Sequence, residues 1–186
     1  MSRVVKVLGF WCLVLAFSLT LGGQLAHAAK AEEIDRAVDE ALAELYHTTP
    51  AAVELAKVAK GILVFPSITK AGFVVGGMVG TGALRVNGET AGYYRIVAGS
   101  YGLQAGIQKF GFALFFMTED ALKYLDKSKG WELGVGPSIV VVDKGFARSL
   151  TTTTAKSDIY AFFFNQKGLM AGLGIQGSKI TKIHPE

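Results

Sequence analysis

The sequence predicts an α+β fold: N-terminal helices packed on a strongly coiled antiparallel β-sheet or small barrel, with one further short helix. Three observations predict it. Apolar residues recur at helical spacing between Glu32 and Tyr46. After Gly61 the chain breaks into short apolar clusters, two of which flank Asn87-Gly88. Glycines fall in same-parity pairs inside strand-like runs, at Gly102 and Gly106, Gly134 and Gly136, and Gly172 and Gly174. Same-parity residues share one face of a sheet, and glycine inside a strand marks a sharp bend or a close backbone approach. Repeated on several strands, this pattern implies strong coiling.

The chain opens on Arg3 and Lys6, then an uncharged run from Val7 to Leu21, a Gly22-Gly23 break and Ala26-His27-Ala28. That order is a secretory signal peptide with cleavage expected before Ala29. The apolar run is shorter than the roughly 20 residues a spanning helix needs. Cys12 lies inside it, without the small residues in front that lipoprotein processing wants. The expected organisation is therefore a signal peptide at 1–28 and a single domain at 29–186, with a helical entry at 30–60 and a mainly β body at 61–186. Removing 28 of the 186 residues leaves 158, enough for one packed core. It also removes the single cysteine, so disulfides, thiol nucleophiles and cysteine-held metals are excluded from the mature chain.

In the first helix, Ile34, Ala37, Val38, Ala41, Leu42 and Leu45 form one apolar stripe. Glu32, Glu33, Asp35 and Asp39 crowd its first turns, where the helix dipole favours acids. Thr49 and Pro50 then start a second helix, as N-cap and first residue, and it is expected to run to Lys60. Ile62–Phe65, Phe73–Gly77 and Val79–Val86 read as strands, the last turning at Asn87-Gly88 into Tyr93–Val97. Tyr101–Lys109 and Phe112–Met117 read as two more, turning at Phe110-Gly111. Thr118-Glu119-Asp120 opens a short helix, Ala121–Lys127, ended by Gly130. Trp131–Val142, Ala147–Thr154, Ile159–Phe164 and Leu169–Gln176 follow, with Lys167-Gly168 as the last turn.

Charge narrows the partners. Loss of Arg3 and Lys6 takes the basic residues from 19 to 17 against 15 acids, so the net charge of +4 becomes +2 and nucleic acid is not an expected partner. Residues 30–60 hold 7 acids and 4 bases, and residues 61–186 hold 8 acids and 13 bases. Lys123 and Lys127, four apart on the short helix, and Lys129 just after are the lipid-contact candidates; the competing reading is a solvated face with cations at a helix C-terminus.

No catalytic pattern stands out. Gly172-Leu173-Gly174-Ile175-Gln176-Gly177 has dinucleotide spacing, but too little chain follows for the helix and acid that motif needs. Ser100 and Ser138 lack a nucleophile elbow, and His47 and His184 are the only candidate bases left. Two distant histidines do not make a zinc site. No catalytic residue, metal, nucleotide or other cofactor is expected.

The stretch from Lys60 onward resembles a SYLF domain of the Ysc84 type, in an exported, bacterial-type form. The residues that carry the likeness are Lys60-Gly61-Ile62-Leu63-Val64-Phe65-Pro66, Thr69-Lys70-Ala71-Gly72-Phe73, Ser100-Tyr101-Gly102-Leu103-Gln104-Ala105-Gly106 and Gly134-Val135-Gly136-Pro137. Thr151-Thr152-Thr153-Thr154, Asp158-Ile159-Tyr160-Ala161-Phe162 and Lys167-Gly168-Leu169-Met170-Ala171-Gly172-Leu173 complete it. The resemblance implies lipid binding without catalysis, with phosphoinositide membranes and actin as partners of eukaryotic relatives. Here the first helix is acidic where the lipid-engaging helix of some relatives is basic, so phosphoinositide specificity does not carry over. The signal peptide implies a periplasmic or extracellular location, peripheral to a membrane, where actin is not expected. Two other readings stay open: an integral outer-membrane β-barrel or envelope structural protein, and an enzyme with an unrecognised site.

Overall fold

The computed structural model describes residues 30–127, 130–142, 156–168 and 177–185. Helix α1 spans residues 30–48 and α2 spans Pro50–Ala56. Thr49 joins them: its N–H donates to the Leu45 carbonyl at 2.9 Å and its carbonyl accepts from Ala52 at 2.9 Å. The Thr49 hydroxyl makes no capping bond, and Pro50 takes the first position, where a missing N–H costs nothing. α2 stops at Ala56, short of Lys60. Val58 and Ala59 both donate to Leu55 O, at 3.1 and 2.9 Å, and Lys60 N already donates to Phe116 O at 2.7 Å. The sheet takes up the chain before another helical turn forms.

Two long strands, β1 (Gly61–Val86) and β2 (Glu89–Phe116), form one antiparallel ladder running from Val86 opposite Glu89 to Gly61 opposite Phe116. Asn87 and Gly88 turn it with φ of 53° and 85°, the left-handed pair of a tight hairpin. The runs read from sequence as separate strands are thus segments of these two. Phe110-Gly111, expected to turn, instead lies inside β2 at a register shift against β5. Pro66 sits where the β1–β2 register slips between Phe65 and Ile68, and a bulge tolerates its missing donor.

A straight 26-residue strand would span about 86 Å at ~3.3 Å per residue. Yet Gly82 packs against the Val64 carbonyl, and Gly80 against Ser67 and Ile68. The ladder curls back until two stretches of the same strand touch.

The other strands among the described residues are β3 (Trp131–Glu132), β4 (Ile139–Val142), β5 (Ile159–Gly168) and β6 (Lys179–Ile183), ordered β3-β6-β2-β5-β4 with β1 also on β2. Among the described residues every pairing is antiparallel except β4 with β5, which is parallel. The expected Trp131–Val142 strand is split by a turn in which Gly134 and Gly136 have φ of 100° and 94°. Lys167 and Gly168 belong to β5. The strands expected at Ala147–Thr154 and Leu169–Gln176 lie outside the described residues.

Within Ile34–His184, which form one unit, the sheet is buried on both faces. Alternation along β2 sends Phe110, Phe112, Leu114 and Phe116 inward, with Leu63, Phe65, Trp131 and Ile180. Helix α3 (Glu119–Lys127) closes this inner core with Ala121 and Leu125. Ala113, Phe115, Tyr160, Phe162 and Phe164 face outward, where Val38 and Leu45 of α1 and Leu55 of α2 cover them. Each such large side chain contributes about 1.5–3 kcal/mol by leaving water.

Candidate lipid-contact surface

The acids of α1 do not form a wholly solvated face. Asp35 and Asp39, one turn apart, reach the β1–β2 hairpin. Arg85 Nη2 donates to Asp39 Oδ1 at 2.7 Å and to the Asp35 carbonyl at 3.1 Å, and Arg85 Nη1 also bonds the Thr90 hydroxyl. Asp35 accepts from Thr90 Oγ1 at 2.7 Å and from Tyr93 OH at 2.8 Å. Burial and the bond donated to Asp35 push the Tyr93 hydroxyl up to about 12, with Arg85 opposing. Sequence reasoning missed this clamp; its one visible trace is that Asp35 and Asp39 border the apolar stripe at Ile34 and Val38.

Helix α3 carries the sequence-chosen lysines. Its N-terminus is capped by Thr118, whose Oγ1 accepts from Ala121 N at 3.2 Å. Lys123 is exposed, Lys127 is the last residue of the helix, and Lys129 lies outside the described residues. Glu119, Asp120 and Asp126 share the helix. Asp126 is engaged by Tyr94 OH at 2.8 Å and faces Lys182 Nζ at 3.5 Å. Burial, with that hydrogen bond and the carboxylate charge, raises the Tyr94 hydroxyl far above the usual tyrosine range.

Arg95, Lys109, Lys123, Lys156, Lys167 and Lys179 are exposed and make no ion pair among the described residues. A polar cleft of about 520 Å³ lies between the end of α2, the hairpin turn and the start of α3, lined by Lys57, Lys60, Asn87 and Glu119 over Val86 and Leu122.

Ser138, one of the two serine candidates, is engaged by Asp158. Ser138 Oγ donates to Asp158 Oδ2 at 2.8 Å, and Ser138 N donates to the same oxygen at 3.0 Å, which holds the Asp158 carboxyl below its usual range. His47 and His184 are exposed and neither bonds Ser138. Among the described residues no three His, Cys, Asp or Glu gather as a metal set, and no helix is long and apolar enough to cross a membrane. The Gly172–Gly177 motif and the Thr151–Thr154 run lie outside the described residues, apart from Gly177.

No curated protein matches the chain. Residues 97–185 match the family model Ysc84, described as "Las17-binding protein actin regulator". The match starts about a third of the way along β2 and covers β3 to β6 and α3, so it is residues 97–185 of this chain that are similar to the Ysc84, or SYLF, family.

Proposed function

We propose that this protein is an exported, non-catalytic module that binds lipid or an anionic membrane surface. In this reading residues 1–28 are a signal peptide and the mature protein works in the periplasm or outside the cell, peripheral to a membrane. The observation that carries it is the set of exposed cations on the β body that make no ion pair among the described residues, while the acids Asp35 and Asp39 are engaged by Arg85. Each lysine near an anionic bilayer adds about 1 kcal/mol of attraction. Lys123, Lys127 and Lys129 are the first candidates for that contact. The actin regulation named by the family description belongs to relatives; an exported chain does not meet actin.

The outer-membrane barrel reading is less well supported, because the outward apolar residues Phe115, Phe162 and Phe164 are covered by α1 and α2. Extraction of native membranes with high salt or carbonate tests the proposal. A peripheral protein is released; retention in the pellet through both washes contradicts it.

A further inference from the structure

We infer that the outer face of the β1–β2 ladder, between its two helix-covered ends, is a contact surface for an anionic bilayer. The inference rests on the membrane-binding reading and gives it a second surface, away from α3. Register places the residues. Lys109 stands directly opposite Lys167, and Ile107 opposite Ala71. Farther along the same face Val79, Val97 and Lys179 form one row, and Thr81, Arg95 and Thr181 the next. Ile107, Val79 and Val97 are 63%, 50% and 39% exposed, and Val79 and Val97 are direct cross-strand neighbours.

Two independent features point to an anionic occupant. First, Lys109 and Lys167 are like charges directly across a strand pair, with Cβ atoms about 5 Å apart, an arrangement that destabilises a sheet. Neither has an acidic partner among the described residues. Anionic groups above the pair relieve that repulsion. Second, the described part of this face carries four cations, Arg95, Lys109, Lys167 and Lys179, against one acid, Glu132, which pairs in register with Lys179.

The occupant is a surface, not a small anion or a folded protein. The four cations stand on three strands, β2, β5 and β6, in two separate register groups, Lys109 with Lys167 and Arg95 beside Lys179. A protein partner wants buried aromatic anchors in pockets. The described part of this face offers shallow aliphatic tips beside glycines, and a Cβ at Gly99 would meet nothing within 4 Å. Shallow aliphatic insertion plus distributed positive charge suits a headgroup layer.

The test is flotation of the purified protein with phosphatidylglycerol–phosphatidylcholine vesicles at low salt. Lys109→Gln with Lys167→Gln should lower partitioning about tenfold or more, while the melting temperature stays level or rises. Ile107→Ser should lower partitioning with no change in salt dependence. If the double variant floats as well as the parent, this surface is wrong and the membrane reading stands. If the variant binds less but melts lower, the lysine pair is structural and the inference falls. Release of the parent by inorganic phosphate at matched ionic strength means a discrete phosphate site and also overturns it. A parent that does not float at all removes the membrane reading itself, and this surface with it.

Discussion

Arg85 on β1 and Asp39 on α1, 46 residues apart in the chain, meet at 2.7 Å. The guanidinium is nearly enclosed, its side chain 12% exposed, whereas the Asp39 side chain is 68% exposed. The partners are therefore unequal. Losing Arg85 strips Asp35, Asp39 and Thr90 of a shared partner; losing Asp39 removes one rim contact.

Arg85→Met is expected to cost about 3 kcal/mol, in line with removing one side of an enclosed ion pair. Asp39→Asn is expected to cost less than about 1 kcal/mol, because its charge is in water. Urea unfolding of the two variants checks the order. Equal losses would mean that the clamp is held by the exposed pair instead.

Curling of the ladder depends on Gly82. An added Cβ there would fall onto the Val64 carbonyl, which is backbone and cannot swing aside. Gly82→Ala should lose about 3 kcal/mol, the upper end of overpacking costs. Gly99→Ala, where a Cβ has open space, should stay within about 0.5 kcal/mol of the parent. Thermal melts of the pair distinguish a bend fixed by this crossing from one spread along the ladder.

Tyr93 makes the fold alkali-sensitive. Its folded pKa is raised to about 12 from an ordinary value near 10. Below about pH 10 both states hold the proton and the stabilisation is fully present. Between about 10 and 12 the unfolded chain releases the proton first, so stability falls as pH rises. Tyr94 acts in the same direction. Tyr93→Phe should show a shallower alkaline decline, read by melting temperature against pH. An unchanged slope would place the sensitivity elsewhere.

The elements were legible where local chemistry decides them. The α1 stripe, Pro50 at the head of α2, the Asn87-Gly88 turn and the Thr118 start of α3 all follow from spacing and capping. Strand lengths were not. Phe110-Gly111 looks like a turn, yet Gly111 leaves room for the Phe164 ring, a contact set by a residue more than fifty positions away. The parallel seating of β4 on β5 is likewise a tertiary outcome. The lysines of α3 could be picked by helical spacing. The Lys109–Lys167 opposition could not, because it exists only through the β2–β5 register.

Charge should act through the body and not through α1. Glu32→Gln with Glu33→Gln should leave vesicle binding unchanged or slightly raised, since these exposed acids only repel an anionic surface. Replacing Lys123, Lys127 and Lys129 by Gln should reduce binding and leave the melt intact. If the triple variant binds like the parent at low salt, α3 is not a contact.

The most direct measurement is flotation of the purified protein with anionic and with neutral vesicles, each at low and high salt. The account predicts binding to anionic vesicles that weakens as salt rises, because exposed charges are screened within about 10 Å at 0.1 M, and little binding to neutral ones. Equal absence from both vesicle types at low salt would contradict it.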